Sequence, residues 1–474
     1  MIKILRKGFI SETITVTVGA IFAQLITLVL FPILTRLYLP DTFGLFSVVL
    51  AISGVAAIVV TLRYELALPL IKDDGQARDL IVLIMLFVVC ACTMLGVAGY
   101  IYSHAIASIL HTPKIADLLW LVGPMTLATA LFQMGGYSAN RVKRFKLYSL
   151  SRIVQSVVQG GVQIISGLFA ATAFWLIVGR IVGGLFGASV LLPWKQLYRQ
   201  RYPKARLIKV AAEHHQFPKY TLVAGVINAA GTQLSPLFIS LFFSSTIVGL
   251  YSLTTRILSL PSILVAQAIA QVFYPNMSDT AISKEVARER IENVTSLLLY
   301  ISVPVFLGVA LTAQQFFPWI FGKEWSEAGL YAVYLVPWLL TVFISSPLSS
   351  YALVRGRQRT ALYFSIYEIA VRIPILIFGA WTGSIETALI LYSVSGAFIS
   401  VVYINWILTL CGSNIFNWLW SIRYFVIVSA VILALCLLIR LRLTDIQYVI
   451  FSLVSMSLLG IYGLTRIMRH DWNW

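Results

Sequence analysis

The sequence predicts an all-α polytopic membrane protein of about fourteen transmembrane helices: two six-helix lobes in parallel repeat plus two C-terminal helices. Three observations predict it. Hydrophobic residues make up 59% of the 474-residue chain and charged residues 11%, less than half of the roughly 25% charged residues in a soluble domain. Apolar runs of about 20 residues, the length that crosses a bilayer, follow one another almost without a break. No segment alternates at the period of a membrane β-barrel strand, so the backbone must satisfy itself within helices. A cytosolic enzyme, a disordered chain and a secreted disulfide scaffold are thereby excluded.

The runs fall at 13–38, 42–70, 79–103, 116–140, 147–170, 173–194, 218–243, 247–274, 293–313, 326–353, 360–381, 385–410, 418–439 and 446–467. The first follows Lys3, Arg6 and Lys7, is too long for a signal peptide and ends in no small-residue cleavage site, so it reads as an uncleaved helix. Spans one to six form an N-terminal lobe (1–194), and a basic cytoplasmic loop follows (195–217). Spans seven to twelve form a C-terminal lobe (218–410), and two extra helices occupy 411–474.

The lobes echo one another. Pro32 through Gly44-Leu45-Phe46-Ser47 after the first span is matched by Pro236 through Gly249-Leu250-Tyr251-Ser252 after the seventh. Tyr137, Arg141, Lys143 and Arg144 after the fourth are matched by Tyr351, Arg355, Arg357 and Arg359 after the tenth. Parallel repeats six spans apart are a transporter plan, with the substrate site between the lobes near the midplane. Cys90, Cys92, Cys411 and Cys436 lie in or beside apolar spans and read as small packed hydrophobes. Cys90-x-Cys92 lacks the partners of a metal site, so neither metal nor cofactor is expected.

Lys and Arg number 35 against 18 Asp and Glu, a net charge of +17. The N-terminus, the loops after the even-numbered spans and the C-terminal tail hold 24 of the cations, whereas the opposite side holds only Arg36, Lys114, Lys323, Arg440 and Arg442. The positive-inside rule therefore places both termini in the cytoplasm. Cations scattered over short loops orient the chain and attract lipid headgroups; they do not form a nucleic-acid surface.

Six arginines remain inside the spans: Arg63, Arg152, Arg180, Arg256, Arg372 and Arg423. A charge at the bilayer centre costs about 2.5–3.5 kcal/mol even on the mild insertion scale, so such residues face a watery lumen or a partner. Arg152 and Arg423 lie within about a turn of the cytoplasmic end, where snorkelling relieves them. Arg63 has Glu65 two residues on, and Arg372 has Glu368 four residues before it; these two acids read as structural partners or as coupling acids. Arg180 and Arg256 lie deep with no acid within a turn of their own helix. They point to a cationic lumen, with Arg372, Arg152 and Arg63 as further contacts. In the fifth span Arg152, Gln155, Gln159 and Gln163 draw one polar stripe, and Asn228, Gln267 and Gln24 extend the polar lumen. A single buried Gln is as readily interhelical glue; a stripe of them beside an arginine favours a wet path.

The stretch Pro32-Ile-Leu-Thr-Arg36-Leu-Tyr-Leu-Pro40-Asp41-Thr-Phe43-Gly44, then Leu62-Arg63-Tyr64-Glu65, resembles the opening of bacterial polysaccharide-biosynthesis membrane proteins. These are the O-antigen or lipid-linked oligosaccharide flippases of the multidrug/oligosaccharidyl-lipid/polysaccharide exporter superfamily. The resemblance continues through Asn140-Arg141, the Gly-rich sixth span and Tyr251-Ser-Leu-Thr-Thr-Arg256, and so touches both lobes. It implies a flippase of the bacterial inner membrane, not an enzyme. Its cargo would be an undecaprenyl-diphosphate-linked oligosaccharide, moved outward by alternating access for O-antigen, capsule or exopolysaccharide synthesis. It also implies inner-membrane lipids as partners, with the polymerase and export machinery as candidate ones, and a cationic cavity that matches Arg180, Arg256 and Arg372. Guanidinium forks suit phosphates and sugar hydroxyls. A drug/cation antiporter of the same superfamily needs an acid in the lumen, which spans seven and eight lack. A membrane polymerase or glycosyltransferase is expected to carry a large outer loop or an acid with a metal partner, and the outer loops here are short.

Overall fold

A computed structural model describes residues 2–194, 202–266, 284–440 and 442–469. Each predicted span contains a helix: α1 (Ile2–Leu37), α2 (Pro40–Val60), α3 (Asp74–Ile101), α4 (Val122–Arg141), α5 (Phe145–Phe169), α6 (Ala173–Leu191), α7 (Leu222–Phe242), α8 (Ser245–Leu258), α9 (Lys284–Phe321), α10 (Ser326–Val354), α11 (Gln358–Trp381), α12 (Ile385–Leu410), α13 (Arg423–Ile439) and α14 (Asp445–Arg469). Ten helices among the described residues are long and apolar enough to cross a membrane. Ile415–Ser421 and α13, bent by 74° at their junction, make an eleventh span if taken together. The protein is a multi-pass, all-helical membrane protein, with no strand among the described residues.

Three departures from the predicted spans have local causes. The second span stops at Val60 rather than running to residue 70. Leu62 and Arg63 adopt left-handed backbone (φ 50° and 61°), and Tyr64–Leu70 continues as a 3₁₀ helix containing Pro69. The stretch 195–217, read as a loop, contains a helix at Lys204–Glu213. Its Leu207 and Val210, three residues apart, bury into the cluster formed by Leu68, Leu80 and Ile84, while Arg206 pairs with Asp79 at 2.8 Å. Two buried apolar residues on one face, the Arg206–Asp79 pair and the Tyr64 hydroxyl donating to the Ala211 carbonyl at 3.2 Å dock an otherwise basic helix. Span eight changes from α8 to a π turn at Ser262–Ala266, just after Pro261, whose nitrogen has no proton to donate.

The chain divides into two compact units, Met1–Ser252 and Leu253–Trp474. In the first, α5 is packed between α1 and α6, α4 lies against α2, α3 and α6, and α7 lies along α2. In the second, α9 packs on α10 and α14, and α12 packs on α10 and α11. A separate cluster of Phe425, Cys436, Tyr448, Met456 and Leu459 ties α13 and α14 to Leu311 of α9.

Within Met1–Ser252 the sequence repeat acquires a physical meaning. Gly44 of α2 and Gly249 of α8 occupy matched positions in the repeat. A Cβ on Gly44 would collide with the Ser245 carbonyl oxygen, and one on Gly249 with that of Pro40. Pro40 and Ser245 are also matched, so the contact is self-complementary, as at a two-fold axis. The Ser245 hydroxyl donates to one oxygen of Asp41, and Lys114 Nζ donates to the other at 2.9 Å.

Gly44→Ala or Gly249→Ala must force the two helix starts apart. Each is expected to lower stability by about 1–3 kcal/mol, read as a drop in thermal unfolding temperature in detergent. Gly161→Ala on α5, where a Cβ meets nothing within 4 Å, is expected to be neutral or to gain up to about 1 kcal/mol.

Candidate functional site

Within Met1–Ser252 a cavity of about 710 Å³ lies among α2, α4, α6, α7 and the start of α5. Each helix contributes one face, at spacings of three to five residues. Leu50, Gly54 and Ile58 come from α2; Thr129, Gln133, Gly136 and Asn140 from α4; Gly225, Asn228 and Gln233 from α7. Such spacings keep side chains on one side of a helix, so each wall follows from its helix register.

Two guanidiniums enter this space. Arg180 projects from α6, and its Nη1 donates to Gln159 Oε1 of α5 at 3.1 Å. Among the described residues it forms no ion pair. Arg63 comes from the left-handed turn after α2, with Nη1 3.5 Å from Oε1 of Glu65, whose side chain is fully buried. None of the sixteen described lining residues is acidic. Tyr137 and Tyr148 add phenol groups near the end of α4 and the start of α5. The result is a positive chamber rich in hydrogen-bonding groups, suited to an anion that also carries many hydroxyls.

Of the residues that the sequence proposed for a lumen, Arg63, Arg180 and Asn228 meet in this cavity, and Gln159 reaches it through Arg180. The rest of the α5 stripe lies elsewhere. Gly179, Gly183 and Gly187 of α6, spaced by four, lie directly on Gln155, Gln159 and Gln163. Their lack of side chains lets the two backbones approach, as small residues do between membrane helices. Gln163 is buried, donates from Nε2 to the Leu176 carbonyl at 2.8 Å, and accepts the Tyr38 hydroxyl on its own carbonyl at 2.7 Å. Gln155 packs against Gly183 and Gly187. The stripe is thus the seam of a helix pair, and its middle member is the one that serves the chamber.

Arg152 stands 6.0 Å from the Tyr148 ring, and Gln24 is half-buried on α1; neither lines the cavity. Gln267 lies outside the described residues. In Leu253–Trp474, Arg256 occupies the last turn of α8. Arg372 is buried between the rings of Trp338 and Tyr392, at 4.4 and 4.5 Å, with Nη2 2.5 Å from Glu368. Gln133 and Gln233 were not singled out from sequence. The signal was there: Thr129, Gln133, Gly136 and Asn140 repeat at three and four residues, and Gln233 follows Gly225 and Asn228 on α7.

Fold and chamber together define a multi-pass helical membrane protein with a cationic, polar cavity among its helices. The family profile described as polysaccharide biosynthesis protein matches residues 33–329, and the chain belongs to that family. Its relatives include the teichuronic acid biosynthesis protein TuaB of Bacillus subtilis (strain 168), 22% identical over 72% of this chain and 70% of that one. The lipopolysaccharide biosynthesis protein WzxC of Escherichia coli (strain K12) is 23% identical over 66% of this chain and 62% of its own. Among solved structures, lipid II flippase MurJ in an inward closed conformation matches 96% of this chain and 99% of its own, with a TM-score of 0.77 at 12% identity. An inward-facing multidrug resistance MATE family transporter of the MOP superfamily matches 84% and 98%, with a TM-score of 0.58 at 12% identity. At these identities the likeness to both structures is one of fold.

Arg63→Ala leaves the buried Glu65 without its cation. Breaking a buried pair costs about 3–5 kcal/mol; because Arg63 keeps 20% of its side chain exposed, about 2–3 kcal/mol is expected. Adding Glu65→Gln should return most of that stability, and thermal unfolding of both variants in detergent reads the difference.

Proposed function

We propose that the protein is a flippase that carries a polyprenyl-diphosphate-linked oligosaccharide from the inner to the outer leaflet of the bacterial inner membrane, for surface polysaccharide synthesis. One observation carries the reading: a polar cavity that holds Arg63 and Arg180 and has no acidic residue among its described lining. A diphosphate bearing a glycan presents what such a chamber binds, anionic oxygens for guanidinium forks and hydroxyls for amides and phenols. A cationic drug presents the opposite charge, so the antiporter reading fits this lining poorly.

The distribution of Lys and Arg supports cytoplasmic termini. In that orientation the Arg63, Asn140 and Tyr148 end of the cavity faces the cytoplasm, and the Gly44–Gly249 crossing lies at the outer end. The cargo would load from inside, and the outer crossing would part for release, by alternating access between lobes 1–194 and 218–410. Arg63 and Arg180 hold the diphosphate in this scheme. Arg256 is a candidate second contact, while Arg372, held by two rings and Glu368, serves mainly to pack its own unit. No chemical bond is made or broken.

Arg180→Ala should lower surface polysaccharide by about ten- to a hundredfold, the loss of one charge-assisted contact, with the protein present at its normal level in the membrane. Arg180→Lys should recover part of this, because it keeps the charge and loses the fork. Deleting the gene should leave lipid-linked oligosaccharide on the cytoplasmic leaflet. Normal polymer from both the deletion and Arg180→Ala would overturn the assignment.

A further inference from the structure

A second space adjoins the cationic cavity, and its chemistry is the opposite. It is a groove of about 780 Å³ between α2, α3 and Leu237 of α7, and all twelve of its described lining residues are apolar. Val59, Phe87 and Met94 on its rim are 44%, 42% and 67% exposed, so it opens sideways to the hydrocarbon. Helix α2 is the shared wall. Its Leu50, Gly54 and Ile58 line the polar cavity, while Ile52, Val55 and Val59 line the groove. Helix α7 divides likewise, with Gln233 on the cavity and Leu237, four residues on, in the groove.

The two spaces meet at one turn. Leu62 lines the groove and Arg63, the next residue, lines the cavity. Both are non-glycine residues in left-handed backbone, a conformation costing on the order of 1–3 kcal/mol each that persists where the surroundings over-determine it. In regular helix Leu62 would follow Val55 and Val59 on the groove face, and Arg63, four residues after Val59, would share that face; the left-handed turn is what takes Arg63 to the cavity instead. The turn sends an apolar side chain to one space and a guanidinium to the other, side by side. A ligand that fits both has an anionic, hydroxyl-rich head and a hydrocarbon chain leaving it at the Leu62–Arg63 turn.

We propose that this groove seats the polyprenyl tail of the lipid-linked cargo while its diphosphate meets Arg63, an inference that rests on the flippase reading above. A bilayer phospholipid is the poorer match, since its head belongs at the interface and needs no chamber. Lipid tails are as apolar as the groove, so burial there adds little affinity over the bilayer itself. The groove instead orders the chain and fixes where the head enters, a gain through preorganisation. Volume suits one end of a long chain, being within the roughly 300–1,000 Å³ of small-ligand sites. The remainder of the tail stays in lipid.

The test places p-benzoylphenylalanine at Met94, in the groove, and separately at Leu168, a lipid-exposed position on α5 (69% exposed), in cells that make the polysaccharide. After irradiation, the adduct at Met94 should carry polyprenyl-diphosphate saccharide, identified by mass, and the adduct at Leu168 phospholipid. A Met94 adduct carrying only phospholipid overturns the proposal. In parallel, Ala91→Trp, which fills the groove, should lower export about tenfold in protein that reaches the membrane at wild-type level. Wild-type export by such a variant also overturns it. If Ala91→Trp fails to accumulate, the Met94 adduct decides. When Arg180→Ala blocks export and the Met94 adduct is phospholipid, the groove assignment falls and the flippase reading stands. When the deletion strain and Arg180→Ala both make normal polymer, the flippase reading falls first.

Discussion

A guanidinium cannot rest in hydrocarbon; it must find a partner or water. The two units of this protein answer that constraint in different ways. In Leu253–Trp474, Arg372 is sealed between Trp338 and Tyr392 with Glu368 at its tip, and the charge becomes a packing element. In Met1–Ser252, Arg180 is given a chamber instead, with Gln159 as its protein partner and open volume on the other side. With no carboxylate paired to it among the described residues, its remaining donors face the open volume of the cavity.

Close helix crossings make that chamber possible. Glycines 179, 183 and 187 draw α6 onto α5, which presents Arg180 to Gln159. At the other end of the same unit, Gly44 and Gly249 bring two matched helix starts into backbone contact, with Asp41 bridging to Ser245 and Lys114. One crossing shapes the wall of the chamber, and the other pins two matched helix starts together. Both depend on residues with no side chain, because no Leu or Ile interface lets two membrane helices come so near.

Much of the fold was legible in the sequence because the bilayer makes its rules local. A span must be long and apolar, and its backbone must bond to itself, so the apolar helices could be read from their own residues. The failures were local as well. Nothing in the string Thr61-Leu62-Arg63-Tyr64 marks a left-handed turn, since neither residue at positive φ is Gly or Asn; tertiary packing imposed it. The helix at Lys204–Glu213 was hidden by its charge, because two residues, Leu207 and Val210, make up its buried face.

For the site, periodicity identified which residues share a face, and no sequence rule says what that face meets. Gln155, Gln159 and Gln163 share one side of α5 as their spacing requires, yet that side meets the glycines of α6. Gln133 and Gln233 were overlooked for the complementary reason: each is one polar residue among apolar ones until α2, α4 and α7 are brought together.

The sequence by itself determined that the chain is a helical membrane protein, where its long apolar helices lie, and which arginines are costly to keep there. These follow from hydropathy and charge, which each residue carries with it. Only the tertiary structure decided that Arg63 and Arg180 share one chamber, that Arg372 is held between Trp338 and Tyr392, and that an apolar groove lies behind the same wall. Those facts depend on how the helices rotate and cross. Rotation and crossing are set by contacts between residues far apart in the chain, such as Gly44 with Ser245 and Gly179 with Gln163.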